Sequence, residues 1–191
     1  MLFLVSPVYA QPVVMVFGDS LSAGFGLPNG KGWVDHLQKR LMAKQYPHQV
    51  INASISGDTT SGGVSRIQRA LETHKPNIVI VELGANDGLR GLSLKEMRDN
   101  LGLILEKIAQ TKAKTLLIGM QLPPNYGVAF TRQYAKSFTT VSEHHGTPLV
   151  PFLMAGIATD LEYFQADRFH PNVKAQPILL DNIWPYLEKL L

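Results

Sequence analysis

Cysteine is absent from all 191 residues. That excludes disulfides, thiolate metal sites and a cysteine nucleophile. It leaves the compartment open, because a chain without thiols suits oxidising and reducing spaces alike. Beyond the N-terminus, no segment approaches the ~20 consecutive apolar residues that a membrane-spanning helix needs. Charge of one sign is scarce too: 18 Lys and Arg against 15 Asp and Glu leave a net charge of +3. The densest basic group, Lys39, Arg40 and Lys44, has the spacing of a solvated helix face rather than of a nucleic-acid footprint. A G-x-S-x-G elbow occurs nowhere, which removes the α/β-hydrolase arrangement. The glycines of Gly24-Phe25-Gly26 and Gly30 miss the dinucleotide fingerprint in spacing and start several residues past the nearest strand pattern.

What is present begins with "MLFLVSPVYAQ". A short apolar patch leads to Val8-Tyr9-Ala10, with a branched residue at −3 and Ala at −1 of a signal-peptidase site. Residues 1–10 are therefore read as the tail of a signal peptide. Residues 11–191 are read as one soluble domain, exported to a bacterial periplasm and expected to act as a monomer.

Apolar runs then alternate with amphipathic ones. Strands are expected at Val13–Phe17, Gln49–Ala53, Asn77–Leu83, Thr115–Met120 and Pro148–Val150. "NIVIVEL" and "TLLIGM" are mostly apolar, as befits strands covered on both faces. Between them, Trp33, Leu37 and Leu41, and Leu101, Ile104, Leu105 and Ile108, repeat at helical spacing and read as core-facing stripes. A last helix is expected after Pro171-Asn172. Pro177 fits its first turn, and Pro185 is expected to kink or end it. Five strand–helix alternations imply an α/β fold with a five-stranded parallel sheet and helices on both sides. Such sheets bind ligands beyond the carboxyl ends of their strands.

Those ends carry the chemistry. Gly18-Asp19-Ser20 follows the first strand and "SISGDTT" the second. "GANDG" follows the third, "QLPPNYG" the fourth, and "DRFHPN" precedes the last helix. Ser20 has two readings, a helix N-cap or a nucleophile. As a nucleophile it needs a base, an orienting acid and oxyanion donors. His170 differs from the other five histidines because Asp167 stands three residues before it. That short tether lets the carboxylate accept from Nδ1–H and leaves Nε2 for the Ser20 proton. Gly57 offers a closely approaching backbone N–H and Asn86 a side-chain amide. With the Ser20 N–H, aided by the helix-terminus dipole, they would form an oxyanion hole. Both residues also suit ordinary turns. His144-His145, at a helix end, lacks acidic partners at ligand spacing, and no metal site is expected. A flavodoxin-like domain binding a metal or phosphoryl group at the strand ends is the reading from a different class.

"GDSLS", "SGDTT", "GANDG" and "DRFHP" resemble the four blocks of the SGNH, or GDSL, hydrolases. "NASISGDT", "VELGANDGLRG" and "LPPNYG" are similar in particular to its periplasmic thioesterase, lysophospholipase and arylesterase group. The resemblance covers Val13 to nearly Leu191. It implies a three-layer α/β/α sandwich of flavodoxin-like form and a cofactor-free serine esterase or thioesterase acting on acyl esters and lipids. It assigns Ser20 as nucleophile, His170 and Asp167 as base and acid, and Ser20, Gly57 and Asn86 as oxyanion donors. Ala85 stands where many members carry a second Gly. The acyl pocket is expected around Ile55, Leu89, Leu122, Pro123, Tyr126, Phe164 and Phe169, with glycines 84, 88 and 91 letting the Leu89 loop move. Asp19 is expected to bond neighbouring backbone and hold the turn.

Overall fold

The computed structural model describes residues 11–191; the signal-peptide reading of residues 1–10 lies outside them. Five parallel strands, β1 (Val13–Gly18), β2 (Gln49–Asn52), β3 (Ile78–Glu82), β4 (Lys114–Ile118) and β5 (Leu149–Val150), form one sheet in the order β2-β1-β3-β4-β5. The helices between them are α1 (Ser20–Ala23), α2 (Trp33–Ala43), α3 (Thr60–His74), α4 (Ala85–Leu89), α5 (Leu94–Ala109), α6 (Val128–His145) and α7 (Gln176–Leu187). α5 packs between α3 and α6, and α2 packs against α7, giving the α/β/α sandwich.

Every residue of β3 is buried, including Glu82, because helices cover both faces. Both expected stripes face the core: Trp33, Leu37 and Leu41 of α2 and Leu101, Ile104, Leu105 and Ile108 of α5 are at most 3% exposed. β2, β3 and β4 end one to two residues short of the expected strands, since Ala53, Leu83 and Met120 already belong to the loops, while β1 runs one residue further, to Gly18, and β5 ends at Val150 as expected. Pro177 lies in the first turn of α7 as expected. Pro185 does not stop that helix, which runs on to Leu187. Pro185 and Asp181, four residues before it, are both exposed, on the side of the helix away from the sheet.

β1 and β3 are paired through Gly18 and Glu82, and this register brings the loops after both strands to one edge. Reversal of strand order on either side of β1 and β3 opens a crevice there.

Candidate active site

Ser20 is the first residue of α1, and the N-cap is Asp19, whose Oδ1 accepts from the Leu21 N–H at 3.0 Å. The cap and the hydroxyl are thus supplied by adjacent residues, and Ser20 Oγ is left free of the capping role. α1 is a single turn, so its dipole adds little and the Ser20 N–H itself is the donor on offer.

Across the crevice, Asp167 and His170 share one turn. Asp167 Oδ1 accepts from the N–H groups of Phe169 (2.9 Å) and His170 (3.0 Å), and Oδ2 meets His170 Nδ1 at 2.6 Å. Arg168 takes the left-handed conformation at φ 61° that closes this turn. Slight burial raises the Asp167 pKa, but the two backbone bonds and the imidazole outweigh it and hold the carboxyl below its usual range. An ionised carboxylate only accepts, so it fixes the proton on Nδ1. Nε2 is then the acceptor for Ser20 Oγ, 2.9 Å away. Leu21, Gly24, Phe25, Leu27, Pro171 and Gln176 line a small crevice beside this pair.

The other two blocks are locked to the first. Asp87 accepts from the N–H (2.9 Å) and Oγ1 (2.5 Å) of Thr60, tying "GANDG" to the start of α3. Arg66 of α3 reaches back to Asp58 Oδ2 (2.6 Å), the Ala53 carbonyl (2.6 Å) and the Gly18 carbonyl (3.1 Å), with its guanidinium 3.7 Å over the Phe17 ring. Gly57 has φ +80°, a conformation that glycine adopts without strain; its carbonyl accepts from Arg90 Nη2 at 2.9 Å. The Asn86 amide donates to the Asp58 carbonyl (2.9 Å) and to Asp19 Oδ2 (3.1 Å). Both its hydrogens are engaged, so an oxyanion would share or exchange one of these bonds.

Beneath the serine lie two buried carboxylates. Glu82 Oε2 accepts from Ser22 Oγ at 2.7 Å and from the Asp19 N–H at 3.3 Å, while Oε1 has no partner. Only glycine fits at position 18: a Cβ there would sit 2.6 Å from Glu82 Oε2. Burial, opposed by the Leu21 and Asn86 hydrogen bonds, pushes Asp19 up to about 6. Burial and the nearby Asp19 charge push Glu82 well above the carboxylate range. Glu82 is the neutral partner and Asp19, with two N–H donors, the one that ionises.

Of the expected pocket residues, four come together. Tyr126 donates to the Leu89 carbonyl (3.4 Å), its N–H bonds the Pro123 carbonyl (3.2 Å), and Leu122 packs against Gly88. Phe164 and Phe169 belong instead to the histidine loop, Phe164 bridging to Pro171 and Phe169 half exposed. Ile55 is exposed beyond β2, with its N–H on the Gly18 carbonyl.

Several contributors had no local signature. Gln176, 1% exposed, accepts from the Trp33 N–H and donates to the carbonyls of Pro171 and Asn172. Gln165 bonds the carbonyls of Phe25 and Pro171. Among the described residues, no cluster of three or more His, Asp or Glu is placed to hold a metal, His144-His145 included. A larger groove of about 440 Å³ between α5 and α6 shares no residue with the Ser20 site.

A three-layer sandwich with hydroxyl, imidazole and carboxylate in hydrogen-bonded series at the sheet's carboxyl edge has the parts of an acyl-transferring hydrolase. The chain belongs to the GDSL-like lipase/acylhydrolase family, which it matches over residues 16–176, and is an ester hydrolase. It is 44% identical over 190 residues to the esterase TesA of Pseudomonas aeruginosa, spanning all of this chain and 94% of that one. It is 35% identical over 182 residues to thioesterase 1/protease 1/lysophospholipase L1 of Escherichia coli K12, covering 95% and 86% of the two. A crystal structure of TesA superimposes with a TM-score of 0.92 at 45% identity, covering 94% of this chain and 99% of the other.

Proposed function

We propose that the chain hydrolyses acyl esters and thioesters through an acyl-enzyme on Ser20. The observation that carries this is the continuous series Asp167 Oδ2–His170 Nδ1 (2.6 Å) and His170 Nε2–Ser20 Oγ (2.9 Å). Ser20 Oγ attacks the carbonyl carbon as His170 Nε2 takes its proton. The oxyanion bonds the N–H groups of Ser20 and Gly57 and the Asn86 amide. The C–O or C–S bond then breaks, and the leaving group takes the proton from His170. Water repeats the sequence, with His170 as base, to free the acid.

The reacting atoms need no cofactor. Substrates are small acyl esters and lipids: aryl esters, lysophospholipids and thioesters, the last two in keeping with the E. coli relative's name. The Leu89, Leu122, Pro123 and Tyr126 cluster is the surface for the acyl chain. Periplasmic export belongs to the same proposal and rests on Val8-Tyr9-Ala10. No described helix is long and apolar enough to cross a membrane.

Aryl esters of graded acyl length, a lysophospholipid and an acyl thioester, each assayed with wild type and Ser20→Ala, test the reading. Turnover that Ser20→Ala abolishes is expected. Turnover that survives it would overturn the assignment.

A further inference from the structure

Phe25 is an exposed aromatic beside the reacting atoms to which the mechanism gives no role. Phe25 is 50% exposed, yet its ring lies 4.6 Å from the His170 ring, tilted by 41°. Its position is built rather than incidental. The Phe25 N–H bonds the Ser20 carbonyl at 3.2 Å and its carbonyl accepts from Gln165 Nε2 at 2.8 Å. Gly24 and Gly26 flank it at φ 76° and 71°. A Cβ on Gly26 would overlap the Gln165 amide oxygen. One side chain therefore fastens the Phe25 loop to the histidine loop, since Gln165 also bonds the Pro171 carbonyl and its N–H bonds the His170 carbonyl at 2.8 Å.

The chemistry says which part of a substrate passes this ring. In the acylation step the leaving oxygen or sulfur must take the proton held on His170 Nε2, so it lies within hydrogen-bond reach of that nitrogen. The carbonyl oxygen is turned away from it, toward the donors of Ser20, Gly57 and Asn86. The acyl surface at Leu89 and Tyr126 belongs to the loops after β3 and β4, not to the histidine side. A substituent on the leaving atom is thus carried past the imidazole, where the exposed ring of Phe25 offers an apolar face.

We propose that Phe25 forms a leaving-group subsite, selecting esters of phenols and other flat apolar alcohols. This rests on the acyl-transfer reading above. Offset or edge contact between two rings is worth a few-fold to about tenfold in an equilibrium or rate ratio. The subsite acts only until the alcohol departs, so it touches acylation and not deacylation.

The test compares phenyl acetate with 2,2,2-trifluoroethyl acetate, which share an acyl group, in wild type, Phe25→Ala, Phe25→Leu and Phe25→Trp. Each rate is expressed as variant over wild type, which cancels intrinsic leaving-group reactivity. Phe25→Ala and Phe25→Leu are expected to lower kcat/KM for phenyl acetate about 3- to 10-fold more than for the trifluoroethyl ester. Phe25→Trp is expected to restore the ratio. Deacylation, read from the steady rate after a 4-nitrophenyl acetate burst, is expected to be unchanged. Equal losses on both esters together with slowed deacylation would overturn the subsite and leave Phe25 as a support for the imidazole. A Ser20→Ala control separates the two claims. If it keeps wild-type rates, the hydrolase reading fails and the subsite with it; if it is inactive, equal losses count against the subsite alone.

Discussion

Asp19 should make the stability of this protein depend on pH in a way that one substitution removes. Its carboxyl is fully buried and pushed from 3.8 to about 6. The folded form therefore holds this proton more tightly than the unfolded chain does. Between pH 4 and 6 the native state binds more protons than the unfolded one, and stability falls as pH rises through that window. About two pKa units correspond to about 3 kcal/mol, complete above the folded value. Asp19→Asn cannot ionise. Its single carbonyl oxygen still accepts from Leu21, but its amide then faces the Asn86 amide, donor to donor, at a cost of about 1–3 kcal/mol that does not vary with pH. The variant is expected to be the less stable protein at pH 4 and to gain on wild type by about 3 kcal/mol by pH 8. Loss of the Asp19 charge also lets Glu82 ionise more easily, which acts in the same direction. Urea melts of both proteins at pH 4, 5, 6, 7 and 8 measure the difference directly. Stability curves that stay parallel over this range would refute the buried-carboxylate assignment.

Other substitutions probe the site's supports. Asp167→Asn should lower kcat by about 10²-fold or more, yet by less than the ~10⁴ typical of a fully buried acid, because its side chain is 39% exposed and water can take part of its place. Steady-state kinetics with an unchanged melting temperature would bear this out. Arg66→Ala leaves Asp58, 11% exposed, without its cation and should cost about 3 kcal/mol, read by denaturant unfolding. Gly57→Ala meets open space, its Cβ 3.8 Å from Arg90, but the left-handed backbone costs about 1–2 kcal/mol. The protein should fold, while turnover falls as the strained peptide swings its N–H away from the oxyanion.

The reach of the sequence is uneven for physical reasons. Strands buried on both faces are written as unbroken apolar runs, so Ile78–Glu82 and its neighbours could be placed, and the carboxyl-edge rule then pointed to Ser20, Gly57 and Asn86. The Asp167–His170 pair was visible because its geometry is contained in four residues. Glu82 was not, since a charged residue inside an apolar run gives no sign of how deeply it is buried. Arg66, Gln165 and Gln176 act across many residues of separation, Gln176 reaching Trp33 143 positions away, and nothing local marks such a pairing. Phe25 was read only as a member of a glycine motif that failed. The helix-cap reading of Ser20 passed to Asp19, which caps the same turn one residue earlier.

The central claim is that Ser20 Oγ is the atom that becomes acylated. A monoalkyl fluorophosphonate, followed by intact mass and peptide mapping, tests it most directly. The account predicts one adduct per chain, on the peptide containing Gly18-Asp19-Ser20, with labelling lost in Ser20→Ala and strongly slowed in His170→Ala. An adduct on any other residue, or labelling that persists in Ser20→Ala, would contradict it.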